Sequence, residues 1–368
     1  NVPPVLGLAR RLHERGHKIR VLAEPCLKEA IITIGAEFIP FKKHFVRTDL
    51  NADIIKDWNS NQLNTPVIEN LLINPAMDVA NETMSALESY PTDILVADLM
   101  MVGSLVAAEA AGVTRVVLFH QTEYLPGPGR PPDGMGLTPS TSYAGHLRDK
   151  LLKMIFNKFI NQYLPKLNMV RKAYALEPYK SVVDVYHQPD LRLIQTSRMF
   201  DFPITPAPEN VRYVGAILDD PDWSEMDDNL LDESDSRPLV VVSLSSTFQN
   251  QREVLVNIID AISRLKIRGL VTLGPVMAEE TFDVPDNVKI VSSAPHSQIF
   301  PHADAVVTHA GHGTVMRALA FGLPVVCLPM GRDQTDNAAR VVHHGVGLSL
   351  SHKAKSAKIS QAIKRVLD

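Results

Sequence analysis

His309, Gly311, Gly313 and Thr314 follow directly on the apolar run Val306-Val307-Thr308, and the helical spacing of Val315, Met316 and Leu319 begins just after them. A buried strand that turns through glycines into a helix lets a ligand approach the backbone closely, because glycine carries no Cβ. The helix start adds amides without intrahelical partners and the positive end of the dipole. That combination suits a phosphate. Thr314 can add a hydroxyl donor and His309 a ring donor. Strand–glycine–helix turns are common, so this turn is a candidate that other residues have to support.

Support comes a helix and a strand later, in Pro329-Met330-Gly331-Arg332-Asp333-Gln334. A carboxylate beside a carboxamide suits paired sugar hydroxyls, because the first only accepts and the second both donates and accepts. The plainer reading has Asp333 capping the next helix, and Asp336 is expected to have that capping role. In the first half, Asp98 ends the apolar run over 94–97 and His120 ends the strand expected over 115–119. A carboxylate within reach would orient the imidazole and raise its basicity, so Asp98 and His120 form a candidate general-base pair. The plainer role for His120 is packing, or contact with a second substrate.

Positioning these residues takes two α/β units. The chain has 368 residues, more than one core usually spans, and 45% hydrophobic with 21% charged content is that of a globular protein. Strands expected over 19–23, 37–39, 94–97 and 115–119 alternate with helices, and strands over 239–244, 269–272, 288–291, 305–308 and 325–328 do so again. That alternation predicts parallel sheets covered on both faces, with ligands beyond the carboxyl strand ends. The domain division expected is 1–216, an acidic linker over 217–237, and 238–368. Residues 127–141, rich in Gly and Pro, are expected as loop, and Tyr124, Leu125, Met135 and Leu137 over 121–141 as a mobile apolar lip. The basic stretch over 147–174 is expected as helix, either solvated or resting on a membrane surface.

A formal charge of −4 gives no general attraction for nucleic acid. Cys26 and Cys327, far apart in the chain, do not read as a disulfide framework, so a reducing, cytoplasmic setting is expected. No apolar run reaches the about 20 residues of a membrane span. A missing first strand ahead of residue 1 is also expected. There is no phosphate loop of the Gly-x-x-x-x-Gly-Lys-Ser/Thr type, and His309 with His312 lack a neighbouring carboxylate or thiol to complete a metal site.

His309-Ala310-Gly311-x-Gly313-Thr314, Gly322-x-Pro324, Pro329 and Asp333-Gln334-x-x-Asn337-Ala338 together resemble the donor-binding motif of the family 1 glycosyltransferases. Plant secondary-metabolite enzymes and bacterial enzymes that glycosylate antibiotics belong to that family. The resemblance spans nearly the whole chain, most strongly its last third. It implies the GT-B fold: two Rossmann-like domains facing one another across a cleft. It also implies inverting, metal-independent transfer from a UDP- or dTDP-sugar, with no cofactor, to a small apolar acceptor of polyketide, macrolide or polyphenol type. His309, Gly311, Gly313, Thr314, Ser246 and Thr247 would hold the diphosphate, and Asp333 and Gln334 the sugar. Ala294 and His296 would lie at the nucleobase, although Ser293-Ala294-Pro295-His296 stands where plant members carry Trp-x-Pro-Gln. That difference leaves uracil and thymine both open. His120, Tyr124, Leu125 and Met135 would meet the acceptor. The family's usual catalytic His aligns with Asn1, which cannot serve as a base. A monomer and a homodimer both fit. Two other readings remain: an inactive sugar-nucleotide-binding partner protein, and a sugar-nucleotide epimerase.

Overall fold

The computed structural model describes residues 2–48, 68–127, 129–202, 204–220, 224, 230–232, 234–245 and 249–368. They fall into two compact units, one taking 2–48, 68–132 and 139–217, the other 133–138 and 218–368.

The first unit opens with helix α1 (Val2–Glu14), strand β1 (Arg20–Ala23), helix α2 (Lys28–Thr33) and strand β2 (Glu37–Pro40). It continues through α3 (Ala76–Ser89), β3 (Ile94–Asp98), α4 (Val102–Ala110), β4 (Thr114–Phe119), α5 (Tyr143–Ile160), α6 (Leu164–Ala173), β5 (Leu191–Ile194) and β6 (Val211–Tyr213). β1 and β2 pair in parallel as a sheet of their own, and β3-β4-β5-β6 form a parallel four-stranded sheet in chain order. The expected helix over 147–174 is two helices, α5 and α6, separated at Asn161–Tyr163 just before Pro165. Small residues decide the α3–α4 contact. A Cβ on Gly103 would run into the backbone of Ala76 and Ala80, and Thr83 meets Ser104 hydroxyl to hydroxyl at 2.8 Å.

The second unit holds β7 (Leu239–Ser243), α7 (Arg252–Ser263), β8 (Arg268–Thr272), β9 (Val288–Val291), β10 (Ala305–Thr308), α8 (His312–Ala320), β11 (Val325–Cys327), α9 (Gln334–His343), β12 (Gly347–Ser349) and α10 (Ser356–Leu367). Its parallel sheet runs β12-β11-β10-β7-β8-β9. β7 and β10 read as unbroken apolar runs because both of their faces are covered, and every residue of both strands is buried. The acidic segment expected as a linker starts as part of this unit. Arg317 donates to the carbonyls of Leu218 and Asp219, and the Asp220 carboxylate accepts the His296 amide at 2.9 Å.

The stretch after β4 corrects the expected mobile lip. Leu125 is core, Glu123 is buried against Arg192 at 3.2 Å, and buried Arg130 meets Asp201 at 3.1 Å. Asp201 also accepts the Glu123 amide at 2.9 Å and the Tyr213 hydroxyl at 2.8 Å. Glu123 and Arg130 are each paired with an opposite charge inside the unit. Removing one partner of such a pair strands the other charge in the interior, at a cost of about 3–5 kcal/mol. Asp201→Ala is therefore expected to lower the melting temperature by on the order of 10 °C in calorimetry. Tyr213→Phe, which loses one hydrogen bond to that carboxylate but leaves the Arg130 pair in place, should cost less, about 1.5–3 kcal/mol.

Candidate functional site

Chain progression in the six-stranded sheet reverses between β7 and β10, and Thr308 pairs with Ser243 across that boundary. Two carboxyl strand ends therefore open side by side where chain direction splits, the usual ligand position in open α/β sheets. His309 is the next residue and is buried, with Thr308 Oγ1 3.3 Å from its Nδ1. Ala310, wholly buried, is left-handed at φ 69°. Gly311 then takes an extended conformation and α8 starts. A Cβ on Gly311 would collide with the His309 ring, so the elbow closes this tightly only with glycine there. Gly313 and Thr314 follow, half-buried, in the first turn of α8. Ser246 and Thr247 lie outside the described residues.

The start of α9 is joined to this elbow by a residue to which the sequence reading gave no role. Buried Asn337 donates from Nδ2 both to the Ala310 carbonyl at 3.0 Å and to Asp333 Oδ2 at 2.8 Å. Asp333 precedes α9 without capping it by its side chain, so the plainer reading of Asp333 fails and its carboxylate stays half-buried at the turn. Gln334 is the other residue expected at the sugar. Its side chain turns inward, Oε1 accepting the amides of Met330 at 2.8 Å and Gly331 at 3.2 Å, while Nε2 donates to Gln249 at 2.9 Å. Gln249 continues the chain of amides, its backbone N–H donating to Gln251 at 2.8 Å. The backbone after β11 bends through positive φ at Gly331 and Arg332, which leaves carbonyl-seeking amides that Gln334 satisfies.

Asp336 also differs from the helix cap expected of it. Its carboxylate accepts the amides of Gly134 at 2.5 Å and Gly136 at 2.9 Å, and Asp133 lies 3.6 Å from Arg340. Segment 133–138 is thereby fastened to α9, with Met135 between the two anchored glycines and 44% exposed. Burial pushes the Asp336 carboxyl above its ordinary range, with the neighbouring Asp333 adding to the rise, although both glycine amides and Arg340 pull the other way.

Burial, then the charge of Arg332, pushes His309 down to about 4, so the ring is neutral near pH 7. Past β9, Ala294 is buried, and the His296 ring stacks on Phe300 at 4.4 Å with Nε2 3.1 Å from Ser243 Oγ. Burial and then Arg317 push His296 to about 4 as well. His296 and His309 therefore both reach the end of β7.

The first unit brings Asp98 and His120 together. Asp98 pairs with Leu118 in register, so one residue past the end of β4 the imidazole swings back over the β3 end. His120 Nδ1 stands 2.6 Å from Asp98 Oδ2, and Asp98 Oδ1 accepts the Met100 amide at 2.9 Å. Burial raises the Asp98 carboxyl, but His120 and the Met100 amide outweigh it and hold the group below its ordinary range. With Nδ1–H donated to the carboxylate, Nε2 is left as the basic nitrogen. Tyr124 is half-buried and packs edge-on against Phe156 at 6.3 Å. Asn1 lies outside the described residues.

Two units of parallel α/β sheet, one with a glycine elbow at its switch point, are shared with solved glycosyltransferases of the GT-B class. The calicheamicin glycosyltransferase CalG4 superposes with a TM-score of 0.74 at 20% identity, over 100% of this chain and 86% of that one. The glycosyltransferase VinC, solved in complex with dTDP, gives 0.70 at 18% identity over 100% and 88%. The family model described as UDP-glucoronosyl and UDP-glucosyl transferase matches residues 37–368, and the chain belongs to that family of enzymes. Among its relatives, the 4'-demethylrebeccamycin synthase of Lentzea aerocolonigenes is 26% identical over 100% of this chain and 89% of its own length. The NDP-glycosyltransferase YjiC of Bacillus licheniformis is 24% identical over 99% and 86%.

Asn337→Ala is expected to free both the strained Ala310 and Asp333. Calorimetric titration with a nucleoside diphosphate should show affinity falling roughly tenfold, the worth of one lost buried hydrogen bond to a charged group. The His309 shift sets a stability window. Its folded value of about 4 lies below the ordinary 6.5, so the folded state binds fewer protons. That contribution is complete above about 6.5 and declines as pH falls toward 4. A melting-temperature series should fall across this interval for the wild type, and less steeply for His309→Gln.

Proposed function

We propose that this glycosyltransferase moves a hexose from a UDP- or dTDP-sugar to a hydroxyl of a small hydrophobic natural product, with inversion and without a metal. The observation that carries the chemistry is the Asp98–His120 pair at 2.6 Å. His120 Nε2 takes the proton of the acceptor hydroxyl, whose oxygen attacks the anomeric carbon as the bond to the diphosphate breaks. Asp98 is the positioning carboxylate that holds the ring and stabilises the imidazolium. The electron pair of the broken bond goes to the leaving diphosphate, stabilised by the α8 amides, Thr314 and His309. Asp333 binds a sugar hydroxyl. Gln334 contributes by shaping the turn through its backbone contacts, with its amide already committed to Gln249.

The donor range is supported by two likenesses: the dTDP held by VinC, and the nucleoside-diphosphate generality in the name of YjiC. The acceptor class follows the natural products named for the synthase and for CalG4. Met135 on its anchored segment offers the apolar contact.

His120→Ala should lower kcat by about 10²–10⁴, the usual worth of a general base, with little change in the donor KM. Asp98→Asn should give a smaller loss. Near wild-type turnover in His120→Ala would remove this base from the mechanism. A panel of UDP- and dTDP-sugars, with the product's anomeric configuration read by NMR, distinguishes inversion from retention. Turnover surviving chelation supports metal independence, and an altered sugar formed with no acceptor present would favour epimerisation instead.

A further inference from the structure

α5 is apolar on two faces. Phe156, Phe159 and Ile160 turn toward the core of the first unit. On the other side, Tyr143, Leu147, Leu151, Met154 and Ile155 recur every three or four residues and are between 52% and 85% exposed. They make one continuous stripe about 18 Å long at 1.5 Å per residue. Scattered exposed apolar side chains are ordinary, but an aligned run of five is an interaction surface.

Charge identifies the occupant. Lys150 and Lys153 flank the stripe, Lys158 lies in line with it one turn beyond Met154, and all three are exposed. Residues 143–173 carry seven Lys and Arg against one acidic residue, Asp149, within a chain of net charge −4. We propose that this face of α5 docks on an anionic lipid surface, lying in the interface with its stripe among the acyl chains and its lysines at the headgroups. A second copy is the less favoured occupant, because it would bring the same basic face, with Lys150, Lys153 and Lys158, up against this one. Among the described residues no helix is long and apolar enough to cross a membrane, so the contact is peripheral. The proposal is argued from α5 alone and stands apart from the reading of the glycosyl-transfer site.

Co-sedimentation with vesicles tests it. Wild-type protein is expected to pellet with phosphatidylcholine vesicles containing phosphatidylglycerol, roughly tenfold or more tightly than with phosphatidylcholine alone, and to come off as salt rises. Leu151→Glu with Met154→Glu should abolish pelleting while circular dichroism and melting temperature stay unchanged, since both side chains face solvent. Lys150→Glu with Lys153→Glu should remove the preference for the anionic vesicles. Equal binding to both vesicle types, no binding to either, or a double glutamate variant that still pellets would overturn the proposal. So would a wild-type dimer in sedimentation velocity that Leu151→Glu dissociates.

Discussion

A buried alanine in the left-handed region costs on the order of 1 kcal/mol, and Ala310 keeps that conformation because its carbonyl is held by Asn337. The same amide group holds Asp333, so one side chain on α9 fixes the phosphate-type elbow and the carboxylate beside it in a single geometry. Neither half could be positioned alone. The elbow without Asn337 has a strained residue and an unanswered carbonyl, and Asp333 without it is a surface carboxylate with many rotamers. Because Asn337 is buried, its two hydrogen bonds are made in a low-dielectric setting where leaving them unmade is expensive.

The strand ends were legible because their signal is local. An apolar run stopping at Asp98 or His120, 22 positions apart, is the spacing of one strand–helix–strand unit, and adjacent parallel strands bring such ends together. The glycine elbow was legible for the same reason: steric need at Gly311 is written in the residue itself. What the sequence hid were interactions set by where a side chain turns. Asp336 sits one turn into a helix, where a capping role is the local default, but segment 133–138, about 200 positions away, offers its carboxylate two amides. Gln334 looks like a free carboxamide in the motif, yet the positive-φ bend at Gly331 and Arg332 turns two amides inward that it has to satisfy. Leu125, Glu123 and Arg130 lie in a stretch with the composition of an exposed loop, and only their distant partners Arg192 and Asp201 show them to be interior.

Electrostatics distinguishes the two candidate centres. Asp98 is partnered by an imidazole and a backbone amide, and those contacts hold it ionised against the cost of burial. His309 has the opposite balance: burial and a neighbouring guanidinium keep its ring neutral until well below pH 7. A neutral ring beside amides still donates one hydrogen bond to an arriving anion, and a second negative charge close by would favour protonation and tighten the contact. The first centre therefore holds its charge by its own contacts, whereas the ring of the second is uncharged near neutral pH.

Helical periodicity reports that a stripe exists but not which way it faces. In α5 the two apolar sets, Phe156 with Phe159 and Leu151 with Met154, follow equally regular spacings, so hydrophobicity alone assigns neither to the core. The core takes the aromatic set because Tyr124 and the buried side chains packed around it complement those rings. The aliphatic set is then left outward by geometry, together with the lysines that share its turns. Burying both faces would have required another element across α5, and the lysines along that side would each have lost their hydration. An outward apolar stripe edged by cations is stable in solution only at the cost of exposed hydrocarbon. That cost is recovered where water and hydrocarbon meet beside negative charge.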